Sequence, residues 1–173
     1  MQNWDDILYP SFRATIRGEY YGIITQDDID EECFFLAERA VAAFKFPHIS
    51  TDYTIFYAIR DADNGLEVVD ASTEGAIPHA YFNNELTYAE IEIIIAWMKV
   101  YWAENQISNA DNFDDIYTDV NIKTYSRANM LDKATNLYKT YRENARELEN
   151  RYSRVSVKKT PSMGDINEDD DNE

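Results

Sequence analysis

Acidic side chains at alternate positions can wrap a cation, and Asp61-Ala62-Asp63-Asn64-Gly65 has that pattern. The glycine comes one place too early for an EF-hand loop, however, and no bidentate Glu follows at the required distance. A hairpin turn explains the stretch better. Asp111, Asp114, Asp115 and Asp119 lack the loop order altogether, and their spacing fits a short helical turn, NFDDIYTD, with Phe113, Ile116 and Tyr117 facing inward. His48 and His79 each stand beside a proline in a turn-like context, without a ligand-spaced companion, and read as turn or hydrogen-bonding histidines. One cysteine, Cys33, cannot complete a zinc set. No glycine-rich phosphate loop or glycine-elbow serine is present. With 33 acids in the chain, any two can be called a carboxylate pair, so that pattern carries no information. The residues predict no catalytic group, no metal and no cofactor: the chain reads as a binding or structural protein, not an enzyme.

The elements that position these residues are readable from periodicity and caps. Thr25 with Asp28 three residues on marks a helix start, and acids in the first turns suit the helix dipole. Ile29, Cys33, Leu36, Ala40 and Phe44 recur at helical spacing, which makes Cys33 a core residue and predicts a helix over 26–46, stopped by Pro47. The β-branched and aromatic run 53–59, Asn64-Gly65, and LEVVDA predict a β-hairpin over about 53–71. A short extended piece is expected near His79–Phe82. Thr87 and Glu90 form a second capping box before a helix over 88–105, apolar nearly all round and therefore buried on most sides. From Ile122 the stripe Tyr125, Ala128, Leu131, Ala134, Tyr138, Tyr141, Ala145, Leu148, Tyr152 predicts one helix of about thirty residues, capped by Asn121. Such a helix is about 45 Å long, too long for so small a domain to cover, so part of its stripe is expected to meet another chain. Residues 1–24 show no clean periodicity, with Pro10 breaking any helix from Trp4, and 158–173 read as a flexible acidic tail. The fold class predicted is mainly α (α+β): a helical bundle over 25–157 with a long C-terminal helix and one β-hairpin insertion.

Composition and charge narrow the setting. A single cysteine excludes an internal disulfide framework. The start has no basic region followed by an apolar core, and the longest apolar run, 93–102, is interrupted by Lys99 and about half a membrane span. A soluble intracellular protein without membrane association is expected. The net charge of −17 divides unevenly: residues 1–122 carry −17, 123–159 carry +6 and 160–173 carry −6. An acidic body avoids nucleic acid. Its locally basic arm suits copies docking side by side, or a second acidic partner, and it is equally compatible with a solvated helix of mixed charge. An acidic DNA mimic that inhibits a nucleic-acid-binding enzyme is the rival reading. A mimic acts as a monomer or dimer and has no need of a basic arm.

One stretch resembles a family. In ELTYAEIEIIIAWMKVYWAENQISNADNFDDIYTDVNIKTYSRANMLDKATNLYK, a capped apolar helix ends in a W-x-x-x-Q turn, Trp102 to Gln106, followed by an Asn/Asp-rich link. A K-x-Y-S-x-A-N-x-L segment (Lys123, Tyr125, Ser126, Ala128, Asn129, Leu131) then opens the long helix. This resembles the head-to-tail connector (neck ring) proteins of tailed bacteriophages, most closely those of crAss-like phages. The likeness covers about 25–159 and is firmest over 85–135. It implies a mainly helical virion protein, made in the host cytoplasm, that closes into a homo-oligomeric ring, commonly of about twelve copies. The ring would lie beneath the portal protein, join it to other neck or tail proteins, and let genomic DNA pass without sequence-specific binding. On that basis the assembly residues expected are Tyr125, Ser126, Asn129, Tyr138, Arg142, Arg146, Arg151, Arg154, Lys158 and Lys159. The arm from Arg151 through Lys159 would reach the portal or an adjacent ring.

Overall fold

The computed structural model describes residues 2–16, 25–61, 65–112 and 123–157. Its elements in chain order are β1 (Gln2–Asn3), α1 (Trp4–Ile7), α2 (Tyr9–Thr15), α3 (Gln26–Ala43), β2 (Tyr53–Asp61), β3 (Gly65–Val69), β4 (Ile77–Phe82), α4 (Tyr88–Asn112) and α5 (Lys123–Val157). The fold is mainly α with a small antiparallel sheet, as the periodicity predicts. The predicted hairpin is part of a four-stranded sheet of order β1-β4-β2-β3. Trp4, Leu8, Tyr9, Phe12 and Ile16 of the N-terminal segment are buried in the core.

Trp4, Leu8, Phe12 and Ile16 recur every fourth position and are all buried. Pro10 does not break this run, because it falls in the first turn of α2, where a backbone N–H has no intrahelical acceptor to lose. The amides of Leu8 and Phe12 donate to the carbonyls of Trp4 and Leu8 at 2.9 Å each, so hydrogen bonding continues through the junction. Trp4 stands against Tyr53, Phe82 and Phe34, with ring centroids 4.8, 5.3 and 5.8 Å away. One indole thereby joins α1, β2, β4 and α3.

Helix α3 begins with the expected capping box of Thr25 and Asp28. It ends at Ala43, three residues short of the predicted boundary, with Phe44 extended at ψ 107°. Phe46 precedes Pro47 and is biased away from the α region, which disfavours carrying the helix further. Near its start, Asp30 is buried and accepts from Gln26 Nε2 at 2.7 Å and from Arg60 of β2, which also reaches Asp27 at 3.0 Å. Cys33 lies in the core, where burial, reinforced by nearby Glu32 and Asp30, pushes its thiol up to about 12. Ellman's reagent is therefore expected to leave native Cys33 unmodified at pH 8 and to titrate one thiol after unfolding.

Strands β2 and β3 form the predicted hairpin with Asp61 opposite Gly65, whose φ of +83° is the left-handed value that favours glycine. Residues 62–64 lie outside the described set. The extended piece foreseen near His79 is a full strand, β4, in the middle of the sheet between β1 and β2. His79 is consequently no turn residue. It is fully buried, stacks on Phe56 and places Nδ1 2.9 Å from Asp5 Oδ1. The carboxylate only accepts, so it selects the tautomer with the proton on Nδ1.

Helix α4 runs seven residues past the predicted end and packs against α3 on one side and α5 on the other. The short helical turn foreseen over 112–119 lies, apart from Asn112 at the end of α4, outside the described residues, as does the Asn121 cap. No helix among the described residues is long and apolar enough to cross a membrane.

Candidate interaction faces

The α4–α5 hairpin is built around two buried carboxylates. Thr87 caps α4 as predicted: its N–H and Oγ donate to Glu90 Oε2 at 2.9 and 2.8 Å. Glu90 Oε1 accepts three further bonds, from the amides of His48 and Ile49 at 3.1 Å each and from the Tyr152 hydroxyl at 2.7 Å. The side chain is fully buried. Burial alone drives its carboxyl up, but the donors from Thr87, Tyr152 and Ile49 together outweigh that and hold it below the usual range. Tyr152, half-buried and donating to this carboxylate, has its own hydroxyl pushed up to about 12. One turn earlier in α5, buried Glu149 accepts from the Lys45 amide at 2.6 Å, just past the end of α3. The C-terminal part of α5 is thus clamped on the body, antiparallel to α4, with Ala145 buried and Tyr138, Tyr141, Leu148 and Tyr152 against the core.

This changes the reading of the long stripe. From Tyr138 to Tyr152 it is satisfied within the chain. Only Leu131 and Ala134, both half-buried, continue it among the described side chains. At 35 residues, α5 is about 52 Å long, and α4 at 25 residues is about 37 Å, so α5 outreaches its partner.

The predicted assembly residues fall into three groups. Tyr125, Ser126 and Asn129 belong to the first turns of α5, where the helix is described but the side chains are not, and Lys158 and Lys159 lie outside the described residues. Arg151 and Arg154 are exposed on the outer side of α5, and Arg151 pairs with Glu147 at 2.7 Å across one turn. Tyr138 and Arg142 lie on the side of α5 near Tyr101 of α4, and Arg146 follows Arg142 by one turn.

On that flank Arg142 lies 5.8 Å from the Tyr138 ring centroid. Arg39 of α3 covers the Tyr101 ring at 4.1 Å and pairs with Glu104 at 2.5 Å. Tyr101 stacks on Trp97, and its hydroxyl is pushed up, first by burial, with Glu104 and Tyr138 adding to the rise and Arg39 and Arg142 opposing it. These side chains are therefore mutual neighbours. Tyr101 and Trp97 of α4 thus lie beneath Arg39 of α3, with Arg142 on the α5 side and Arg146 one helical turn beyond it. Arg39 was not foreseen as part of any site, because its link to α5 runs through Tyr101 of a third helix. Cation–π contacts of this kind pre-position guanidinium groups for planar acidic partners. Among the described residues no cluster of three or more His, Cys, Asp or Glu is arranged to hold a metal ion.

Compared with protein-family models, curated proteins and solved structures, the chain matches none of them.

Proposed function

We propose that this chain is a structural virion protein that closes into a ring in the neck of a tailed phage, joining the portal to tail components around a channel for DNA. The observation that carries the reading is the α4–α5 hairpin. The stretch whose sequence resembles neck-ring connectors spans α4 and the first half of α5, an antiparallel helix pair whose longer member is clamped near its C-terminal end and outreaches its partner. A clamped hairpin sets a fixed angle between subunit body and arm, which a closed ring requires, because a heterologous contact closes only at a fixed rotation. The acidic body suits a lumen along which DNA slides without binding.

The purified protein with its portal, studied by native mass spectrometry and negative-stain imaging, tests this. A discrete ring bound to the portal is expected. A protein that stays monomeric at high concentration and has no affinity for the portal overturns the reading. Within the same assay, Tyr125→Ala is expected to impair ring assembly, while a chelator leaves it unchanged. Chelator-sensitive assembly would restore the cation-loop reading of the Asp-rich link.

A further inference from the structure

The aromatic and cationic face between α3 and α5 has a counterpart on the other side of α4. At about 100° per residue, Trp97, Tyr101 and Glu104 point about 180° away from Ile91, Glu92, Ile95 and Lys99. The latter line a groove between α1–α2 and the α4–α5 hairpin, with Leu148 in its apolar wall and Asp6 and Tyr88 on its edge. The two faces differ in charge. On the first, Lys139, Arg142 and Arg146 are exposed and Arg39 is engaged by Glu104, so that with Glu143 and Glu147 beside Arg146 one cation is in excess. On the second, Asp6 and Glu92 are exposed, while Lys99 is half-buried near Glu92. Each face also leaves a large aromatic side chain in solvent: Phe35, one turn before Arg39, is 50% exposed, and Tyr88 is 76% exposed.

Two different, complementary faces on opposite sides of one subunit are what a heterologous contact between identical copies needs. We infer that the α3/α5 face of one copy receives the Asp6–Tyr88–Glu92 face of the next, making this the subunit contact of the ring. Acidic side chains of the incoming groove edge meet Arg142 and Arg146. Like charges at either face oppose the wrong pairing of two identical faces, which selects head-to-tail addition over a two-fold dimer. The inference rests on the ring reading and names the surfaces that make it.

Charge reversal of each face tests it. The variant Arg142→Glu/Arg146→Glu sets acid against acid in every contact with its own kind. Asp6→Lys/Glu92→Lys sets base against base. All four side chains are exposed, so near-ultraviolet circular dichroism is expected to match the wild type. In sedimentation velocity each variant alone is expected to associate at least about tenfold more weakly than the wild type. An equimolar mixture is expected to recover assembly, because every contact in it is again between opposite charges. Wild-type assembly by either variant alone overturns the assignment of faces and leaves the ring reading standing. So does a mixture of folded variants that fails to recover. A wild-type protein that forms no oligomer, alone or with the portal, overturns both.

Discussion

Glu90→Ala is expected to destabilise the fold by about 3–5 kcal/mol, measured by urea unfolding at pH 7. The carboxylate is fully buried and accepts five hydrogen bonds from four residues. Bonds to a charged group contribute about 1.5–3 kcal/mol each, and a buried donor left without its acceptor costs about 1–3 kcal/mol. Alanine removes the acceptor for all of them at once, so the losses partly overlap, and relaxation or water entry limits the sum to the upper range for single substitutions. Tyr152→Phe deletes one bond and its donor together, and is expected to cost only about 1–2 kcal/mol. The pH dependence follows from the same geometry. The folded carboxyl titrates below its ordinary 4.5, so its contribution is complete above that value and is lost as pH falls through the depressed folded one. Glu90→Gln removes this titration. The variant is less stable than the wild type at pH 7, and the gap narrows on acidification below 4.5. A gap that stays constant with pH would contradict the assignment.

How much of this clamp was legible beforehand depends on the range of each contact. The capping boxes at Thr25–Asp28 and Thr87–Glu90 are local, since both partners lie within one turn, and both are present as read. The other donors to Glu90 come from 41 to 62 positions away, and no pattern within a window announces them. A glutamate satisfied by its own cap looks complete in sequence. For His79 the hydrogen-bonding reading holds and the turn reading does not, for a related reason. Strand β4 is buried on both faces, so IPHAYF shows none of the alternation that marks a half-exposed strand. The stripe on α5 is legible in the sequence, but what covers it from Tyr138 to Tyr152, α4 and the core, is not. Periodicity reports which face is buried and is silent about what buries it. The basic flank was half legible. Arg142 and Arg146 are neighbours by helical spacing, whereas Arg39 joins them only through the fold.

The second large effect is expected at the opposite end of the chain, in the N-terminal segment that carries Trp4. Trp4→Ala should cost about 3–5 kcal/mol, as for other aromatic truncations in packed cores. Its ring meets one aromatic from each of α3, β2 and β4, and these three elements approach each other around it. A cavity here cannot close by moving one side chain, because the sheet and α3 would have to shift together. Since a domain is stable by only about 5–15 kcal/mol, removing residues 2–16 altogether, and with them Trp4, Leu8, Tyr9 and Phe12, is expected to abolish cooperative unfolding. This separates the two roles the N-terminal segment could have. Were it an accessory arm, truncation would leave the thermal transition in place and change only assembly. Built into the core as it is, it must fail in the monomer first, before any contact between copies is tested. The Trp4→Ala variant, milder than the deletion, then shows whether assembly tracks the folded fraction of the subunit. Assembly that falls in proportion to that fraction places Trp4 in the core alone. A steeper fall than the folded fraction explains would mean that α1, which carries Asp6, also acts directly at the subunit contact.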